Sequence, residues 1–292
     1  MNKQNIDKRT RTILINSQKA EITEYNVYKK LAQKAESKNK NILNEIAEDE
    51  LAHYRFWQRF TDREVKPNWI KVYFYYILAH IFGLMFSIKL MEKGEEDAQE
   101  VYMKVSEVIP EAKKIVSDED RHEDKLLNML EEEKLNYVGS MVFGLNDALV
   151  ELTGTLAGLT FALQNTNLIA LSGLITGIAA SLSMGASEYL STRTEENGKN
   201  ELKSSFYTAI TYIITVILLI LPYFLLENYI FSLILTIIIA VVIIFVFNFY
   251  ISVAKDLNFK KRFIEMASIS LGVSLISFGI GVVVRILFGV EI

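Results

Sequence analysis

The chain has 292 residues, of which 51% are hydrophobic, with a mean hydropathy of +0.22 and a formal net charge of −4. This composition is too apolar for an ordinary soluble domain, and its basic residues are interspersed with acids, which argues against a nucleic-acid partner. The absence of cysteine excludes disulfides, thiolate metal sites and thiol nucleophiles.

Charge divides the chain into two halves. Residues 1–136 hold nearly all the Lys, Glu and Asp, whereas residues 137–292 hold the long runs of Ile, Leu, Val and Phe. We therefore predict an all-α protein with a soluble domain, 1–136, followed by a transmembrane domain, 137–292. The first residues, MNKQNIDKRTRTILINSQ, lack the apolar core of a signal peptide, so we expect the first domain to stay in the cytoplasm.

Apolar periodicity in the soluble half predicts four amphipathic helices. Pro67 separates the second from the third, and Pro110 is well placed in the first turn of the fourth. The count and the short loops indicate a four-helix bundle. The predicted helices are 8–36, 40–61, 70–105 and 111–135.

Residues 72–90, VYFYYILAHIFGLMFSIKL, are apolar enough to be proposed as a sixth membrane span. We favour a buried or interfacial helix, because the segment leads directly into Glu92 and Glu95. A span here would also place the last two bundle helices across the membrane from the first two. His80 belongs to no motif, and we expect a core or interface residue rather than a ligand.

Two of the three histidines follow a glutamate by three positions, Glu50 with His53 and Glu119 with His122. This spacing places a carboxylate and an imidazole on one helix face, and two such helices form half of the di-iron site of ferritin-like bundles. The other two helices must each add a glutamate. Solvated surface side chains are the alternative interpretation of the same pattern.

The remaining metal ligands are expected on the first and third helices. Glu21 is the candidate on the first, and Glu95 on the third, with Glu92 one turn earlier as its competitor. The stretches KAEITEYNVY and KGEEDAQEVY resemble the rubrerythrin branch of the ferritin-like proteins. The resemblance implies a di-iron centre, Fe2+/Fe3+, or bound Mn2+.

This resemblance has two departures. A second acid of the third helix would fall at Ala98, so Glu92 is expected to substitute. Rubrerythrins also carry a cysteine-rich iron domain that delivers electrons, and a cysteine-free chain lacks that relay for a sustained peroxidase cycle.

The second half predicts five transmembrane helices of roughly 20 residues or more. Basic residues concentrate between the second and third spans and between the fourth and fifth. The positive-inside rule then places the N-terminal domain and both basic loops in the cytoplasm, and the C-terminus outside. The predicted spans are 138–163, 167–192, 206–226, 229–254 and 267–288.

Polar side chains concentrate in the first two spans, with Asn146, Asp147 and Glu151 in the first and Met184 and Glu188 in the second. Residues four apart share a helix face, and a carboxylate at a helix centre costs about 2.5–3.5 kcal/mol on insertion. Such acids usually mark function, although acids near helix ends can snorkel or be neutralised by protonation. An amide, carboxylates and a thioether suit a divalent transition metal.

The stretches GSMVFGLNDALVELTGTLAGL and ITGIAASLSMGASEYLSTRTE resemble the first two spans of the vacuolar iron transporter family. The resemblance implies a homodimer with a metal path between subunits, which moves Fe2+ or Mn2+ out of the cytoplasm against protons. Asp147, Met184 and Glu188 match family positions. Ala148 stands where the family usually has glycine, and Glu151 is additional.

Several family members carry a glutamate-rich cytoplasmic domain between spans two and three, where this chain has only a short polar loop. The N-terminal bundle is expected to replace it. We therefore predict a proton-coupled exporter of Fe2+ or Mn2+ in the cell membrane, with a bundle that captures or oxidises the metal. The alternatives are a membrane-anchored ferroxidase or peroxide-scavenging di-iron enzyme, and a metal sensor whose bundle gates the membrane half.

Overall fold

A computed structural model describes residues 8–127, 129, 137–195 and 199–288 of the protein. The side chains of residues 37, 95–100, 104, 127 and 288 lie outside this description. The chain divides into two compact units, Met1–Glu132 and Glu133–Ile292. All regular elements in the described ranges are helical.

Five α-helices form the described part of the first unit. α1 packs against α2 and α3, and α4 packs against α3 and α5, while α2 and α5 are also in contact. A short 3-10 turn, Pro110–Ala112, precedes the last helix. The helices are α1 (Lys8–Ala32), α2 (Ser37–Thr61), α3 (Trp69–Ile81), α4 (Leu84–Ser106) and α5 (Lys113–Leu127).

The predicted continuous helix over 70–105 is wrong, because the chain breaks between α3 and α4. Gly83 has φ 99°, in the left-handed region that glycine adopts without the steric cost of a Cβ. Within the described residues, the soluble half therefore contains five α-helices, one more than the four predicted. The predicted helix over 111–135 begins later, at Lys113, and apart from Met129 its last part, 128–135, lies outside the described residues.

The core of the first unit is built from apolar side chains at helical spacing. Trp57 of α2 and Leu14 of α1 are fully buried, and they pack with Tyr102, Val105 and Ile109 around α4. Each large apolar side chain that leaves water contributes about 1.5–3 kcal/mol. This core fixes the helices from which the polar side chains of the bundle interior project.

The second unit contains five long helices, of which the first is central. α6 packs against all four others, and α7 packs closely along α8. Asn165, Asn200 and Asn228 cap the N-termini of α7, α8 and α9 by accepting backbone N–H groups. The helices are α6 (Val138–Leu163), α7 (Thr166–Thr194), α8 (Glu201–Leu225), α9 (Tyr229–Ala254) and α10 (Phe259–Phe288).

Four of these helices, α7 to α10, are long and apolar enough to cross a membrane. They make this a multi-pass membrane protein. Many of their large apolar side chains are exposed, such as Ile175 and Leu275. α6 is not among the four, because Asn146, Asp147 and Glu151 interrupt its apolar sequence. The five-span count therefore stays a prediction.

Close packing holds α6 against α8. A Cβ on Gly144 would lie 2.5 Å from the carbonyl oxygen of Thr208, so only glycine allows the two backbones to approach this closely. The Thr208 hydroxyl donates to the carbonyl of Ser140 at 3.0 Å. These contacts fix the helix that carries Asp147 and Glu151.

Candidate functional site

A cluster of four acidic and imidazole side chains lies inside the first unit. Glu21 comes from α1, Glu50 and His53 come from α2, and Glu119 comes from α5. One ligand atom of each lies within 4.8 Å of those of the others. The i,i+3 spacing on α2 places Glu50 and His53 on the same face, as the sequence indicated.

His122 completes the cluster, and the two central carboxylates each face both histidines. Glu50 has its Oε2 3.5 Å from Nδ1 of His53 and its Oε1 3.2 Å from Nδ1 of His122. Glu119 has its Oε1 3.3 Å from Nδ1 of His53 and its Oε2 3.5 Å from Nδ1 of His122. Each carboxylate therefore directs one oxygen at each imidazole.

Four buried atoms of this cluster make no hydrogen bond within the described part of the chain. They are Glu21 Oε2, Glu50 Oε2, His53 Nδ1 and His122 Nδ1. Buried polar atoms in proteins nearly always have a partner, so orphaned atoms that converge on one point indicate a missing ligand. Carboxylate oxygens with imidazole nitrogens are a donor set for divalent transition metals. The cluster therefore fits a metal ion.

The outward nitrogens of both histidines contact aspartates in a crossed arrangement. Nε2 of His53 lies 3.3 Å from Oδ2 of Asp118 on α5, and Nε2 of His122 lies 3.1 Å from Oδ2 of Asp49 on α2. Arg121 lies 3.0 Å from each aspartate and joins them. Such outer partners fix the tautomer and orientation of a ligating histidine, with Nδ1 directed at the metal.

Sequence reasoning missed this outer layer, although the sequence contained a signal for it. Asp49 directly precedes Glu50, and Asp118 directly precedes Glu119, so the pattern Asp-Glu-x-x-His occurs twice. Spacing alone could not show that each aspartate serves the histidine of the other helix. That pairing depends on how α2 and α5 pack.

Two aromatic side chains hold Glu21. Nε1 of Trp57 and the hydroxyl of Tyr102 both donate to its Oε1, at 3.0 and 2.9 Å. Oε2 is thereby left to face Nδ1 of His53 at 3.4 Å. Neither aromatic residue was identified from the sequence, because long-range packing brings them to α1.

Glu92 and Glu95, the two acids that the sequence analysis proposed as ligands from the third bundle helix, both lie on α4. Oε1 of Glu92 accepts a hydrogen bond of 2.6 Å from Tyr28, and burial raises the pKa of Glu92 to about 7, with a further contribution from Glu119. Glu92 thus interacts with the cluster without being one of its four central members. Glu95 belongs to α4, but its side chain lies outside the described residues.

Glu24 is an acid that the sequence analysis did not single out. It lies one turn after Glu21 on α1, and burial raises its pKa well above the usual range, with further contributions from Glu50 and Glu21. Glu24 also lines a cavity of about 210 Å³ between α1, α3 and α4, together with Lys71 and Tyr75. Glu24 therefore lines the cavity, and its charge interacts with the carboxylates of the cluster.

The charges of the cluster are strongly coupled. Burial raises the pKa of Glu21 to about 8, whereas His122 and His53 outweigh burial and lower the pKa of Glu50 to about 2. Burial would lower the pKa of His122, but the carboxylates of Glu119 and Glu50 raise it to about 10. The same kind of carboxylate contact raises the pKa of His53. A bound cation must therefore displace protons.

The side chains that the sequence analysis assigned to a transport path lie on α6 and α7. Asn146, Asp147, Met184 and Glu188 are half-buried, and Glu151 is exposed. Asp147 and Glu151 are close enough for their charges to interact. Met184 packs against the apolar core around α6.

Two hydroxyl groups that sequence reasoning missed hold these acids. Tyr212 of α8 donates to Oε2 of Glu151 at 2.8 Å, and Ser140 of α6 donates to Oε1 of Glu188 at 2.6 Å. The second bond joins the acid of α7 directly to α6. No sequence spacing connects either pair, because each bond crosses between helices.

His80 lies in α3, where it is exposed and contacts the carbonyl of Tyr76 through Nδ1 at 2.9 Å. A core position for this histidine was therefore a wrong expectation. It also lies outside the metal cluster.

Comparison with known proteins adds one finding for the second unit. A family model described as the VIT family matches residues 138–199, the range that contains α6, α7 and the acids of both helices. No curated protein matches the chain. The family match supports a VIT-type membrane domain, and with the apolar helices it indicates a membrane protein that transports metal ions.

Proposed function

We propose that this protein exports Fe2+ or Mn2+ from the cytoplasm in exchange for protons, through a homodimeric membrane domain of five spans. The observation that carries the proposal is the coincidence of the VIT match with α6 and α7, the helices that carry Asp147, Glu151 and Glu188. In this topology the N-terminal unit is cytoplasmic and the C-terminus lies outside.

The path is formed by the side chains that interrupt the apolar sequence. Asp147 and Glu151 supply carboxylates from α6, and Met184 and Glu188 supply a thioether and a third carboxylate from α7, with Asn146 as a neutral donor. Export of a divalent ion against an inside-negative potential costs about 2.3 kcal/mol per charge per 100 mV, so it requires a coupled ion. A carboxylate that binds metal when ionised and a proton when vacated provides that coupling.

The first unit acts as a ferritin-like di-metal domain that captures the ion. Glu21, Glu50, His53, Glu119 and His122 would hold the metal, with Glu92 and the sequence-based candidate Glu95 as further acids from α4. Iron bound there would supply the oxidation chemistry of a ferroxidase. Trp57 and Tyr102 keep Glu21 oriented, while the paired aspartates keep both imidazoles in place.

A membrane-anchored ferroxidase or peroxide-scavenging enzyme is the second candidate. It is favoured by the completeness of the cluster in the first unit, where four buried donor atoms converge. An anchor, however, needs only one plain apolar helix. Acids within α6 and a thioether beside them would have no role in an anchor.

The test is metal flux in proteoliposomes under an imposed pH gradient. We expect proton-driven movement of Fe2+ and Mn2+, and a loss of about tenfold or more on Asp147→Asn, because even outer ligands of metal sites contribute 10–100-fold to affinity. Glu227→Gln, in the loop between α8 and α9, is the matched acid control and should retain wild-type flux. Wild-type flux in Asp147→Asn would exclude this path.

A further inference from the structure

The helix α3 exposes an apolar and aromatic face that the proposed transport does not use. Ile70 is 84% exposed, Ile81 66% and Trp69 48%, while Val72 and Ala79 on the opposite side are buried. The exposed side chains recur at helical spacing, so they form one continuous stripe. The stripe consists of Trp69, Ile70, Tyr73, Phe74, Ile77 and Ile81.

The segment of the chain that carries this stripe is basic. Residues 65–91 contain no Asp or Glu, although the chain as a whole has 35 acids, and they include Lys66, Lys71 and Lys89. Lys30 of α1 extends over the ring of Tyr73, with Nζ 4.7 Å from the ring centroid. Lys34 adds a further positive charge, since its Nζ donates to the carbonyl of Ala79.

This combination of side chains fits one partner better than others. A soluble monomer rarely exposes a contiguous apolar patch of this kind. Trp and Tyr prefer the level of lipid headgroups, and helices with such a face and flanking lysines bind anionic bilayer surfaces. The same chain carries four helices of membrane-spanning length, so a bilayer is always present at high effective concentration.

We propose that α3 is an interfacial helix that lies on an anionic lipid surface. Its aromatic and aliphatic stripe enters the boundary between headgroups and acyl chains, and the bordering lysines contact lipid phosphates. This inference requires only that the protein resides in a membrane, so it stands or falls separately from metal transport.

The two tryptophans of the chain permit a direct test. Trp57 is fully buried, whereas Trp69 belongs to the stripe. The full-length protein is reconstituted into vesicles of brominated phosphatidylcholine with or without phosphatidylglycerol, and tryptophan emission is recorded. We expect brominated lipid to quench the Trp69 component, more strongly with phosphatidylglycerol, and we expect Trp69→Phe to abolish all of the quenching.

A second measurement separates lipid from protein as the partner. Because the chain has no cysteine, a single Ile77→Cys variant carries one spin label without other substitutions. A label in lipid collides with dissolved oxygen and is protected from a water-soluble nickel complex. Arg55→Cys, at an exposed position of α2, is the matched control and should show the opposite pattern.

Three results would overturn the proposal. Emission of Trp69 that is insensitive to brominated lipid, or a label at position 77 that is fully open to the nickel complex, would show that the stripe faces water. Protection from both oxygen and nickel, combined with a short label-to-label distance between two chains, would instead identify a second copy of the protein as the partner.

Discussion

The carboxylates of the two units differ in how firmly the protein holds them. In the first unit Glu21 and Glu50 are 0% and 2% exposed, and indole, phenol and imidazole groups surround them. In the second unit Glu151 is exposed and Asp147 is half-buried. A buried, preorganised cluster favours retention of an ion, whereas ligands that the protein encloses less completely bind weakly enough to release it, as conduction requires. The comparison therefore suggests one unit that holds metal and one that passes it.

Loss of the carboxylates of Glu50 and Glu119 should have the largest effect on the metal binding that we propose for the first unit. We expect Glu50→Gln with Glu119→Gln to abolish metal bound to the first unit, because His122 then loses both facing carboxylates and His53 keeps only that of Glu21. Metal content of the full-length protein, measured by mass spectrometry after desalting, checks this. Glu48→Gln, an exposed α2 position, is the control, and undiminished metal in the double variant would contradict the assignment.

Substitutions of the outer aspartates should have the next largest effect. Asp49→Asn with Asp118→Asn removes the charges that face both outward nitrogens, and we expect metal affinity to fall about 10–100-fold. Competition with a chelator of known affinity measures the change. Asp62→Asn, at the end of α2, serves as the control; equal affinities in all three proteins would show that the aspartates only bind Arg121.

The pH dependence of metal binding follows from the raised pKa values. Glu21, with a pKa of about 8, and His122, with a pKa of about 10, carry protons near neutral pH, and a cation must displace them. Apparent affinity should therefore rise with pH by about tenfold per pH unit for each proton displaced. Calorimetry in buffers of different ionisation enthalpy counts the released protons. An affinity that stays constant from about pH 6 to about pH 8 would contradict this coupling.

The smallest predicted effect concerns the unit that passes metal. Tyr212→Phe removes the hydrogen bond to Glu151 and leaves the ring in place, so flux should fall about fivefold, which corresponds to about 1 kcal/mol. Metal bound to the first unit should be unchanged. Tyr229→Phe, at the start of α9, is the control. If Tyr212→Phe alters neither flux nor its pH dependence, the hydrogen bond has no part in transport.

The sequence predicted those parts of the site that lie within single helices. Glu50 with His53 and Glu119 with His122 were identifiable because i,i+3 spacing fixes a shared face whatever the tertiary fold. Trp57, Tyr102 and Tyr212 could not be identified this way. Their partners lie on other helices, so their roles depend on packing that no local pattern encodes.

Prediction of the fold from the sequence has the same limit: regular helices were predictable, but a local break was not. The long helices were predictable from apolar periodicity and from hydropathy, although α10 begins at Phe259 whereas the predicted span began at residue 267. The break at Gly83 was not, because a glycine inside an apolar run is also compatible with a continuous helix. α6 alone among the five described helices of its unit is not among the candidate membrane spans, and it carries Asn146, Asp147 and Glu151, which we propose as part of the transport path.

One measurement tests most directly whether the first unit binds metal while the second unit transports it. Asp147→Asn is reconstituted alongside the wild type, and metal flux and protein-bound metal are determined in the same vesicles. We predict that Asp147→Asn loses metal flux while the metal bound to the first unit stays at the wild-type level. Wild-type flux, or the simultaneous loss of bound metal, would contradict it.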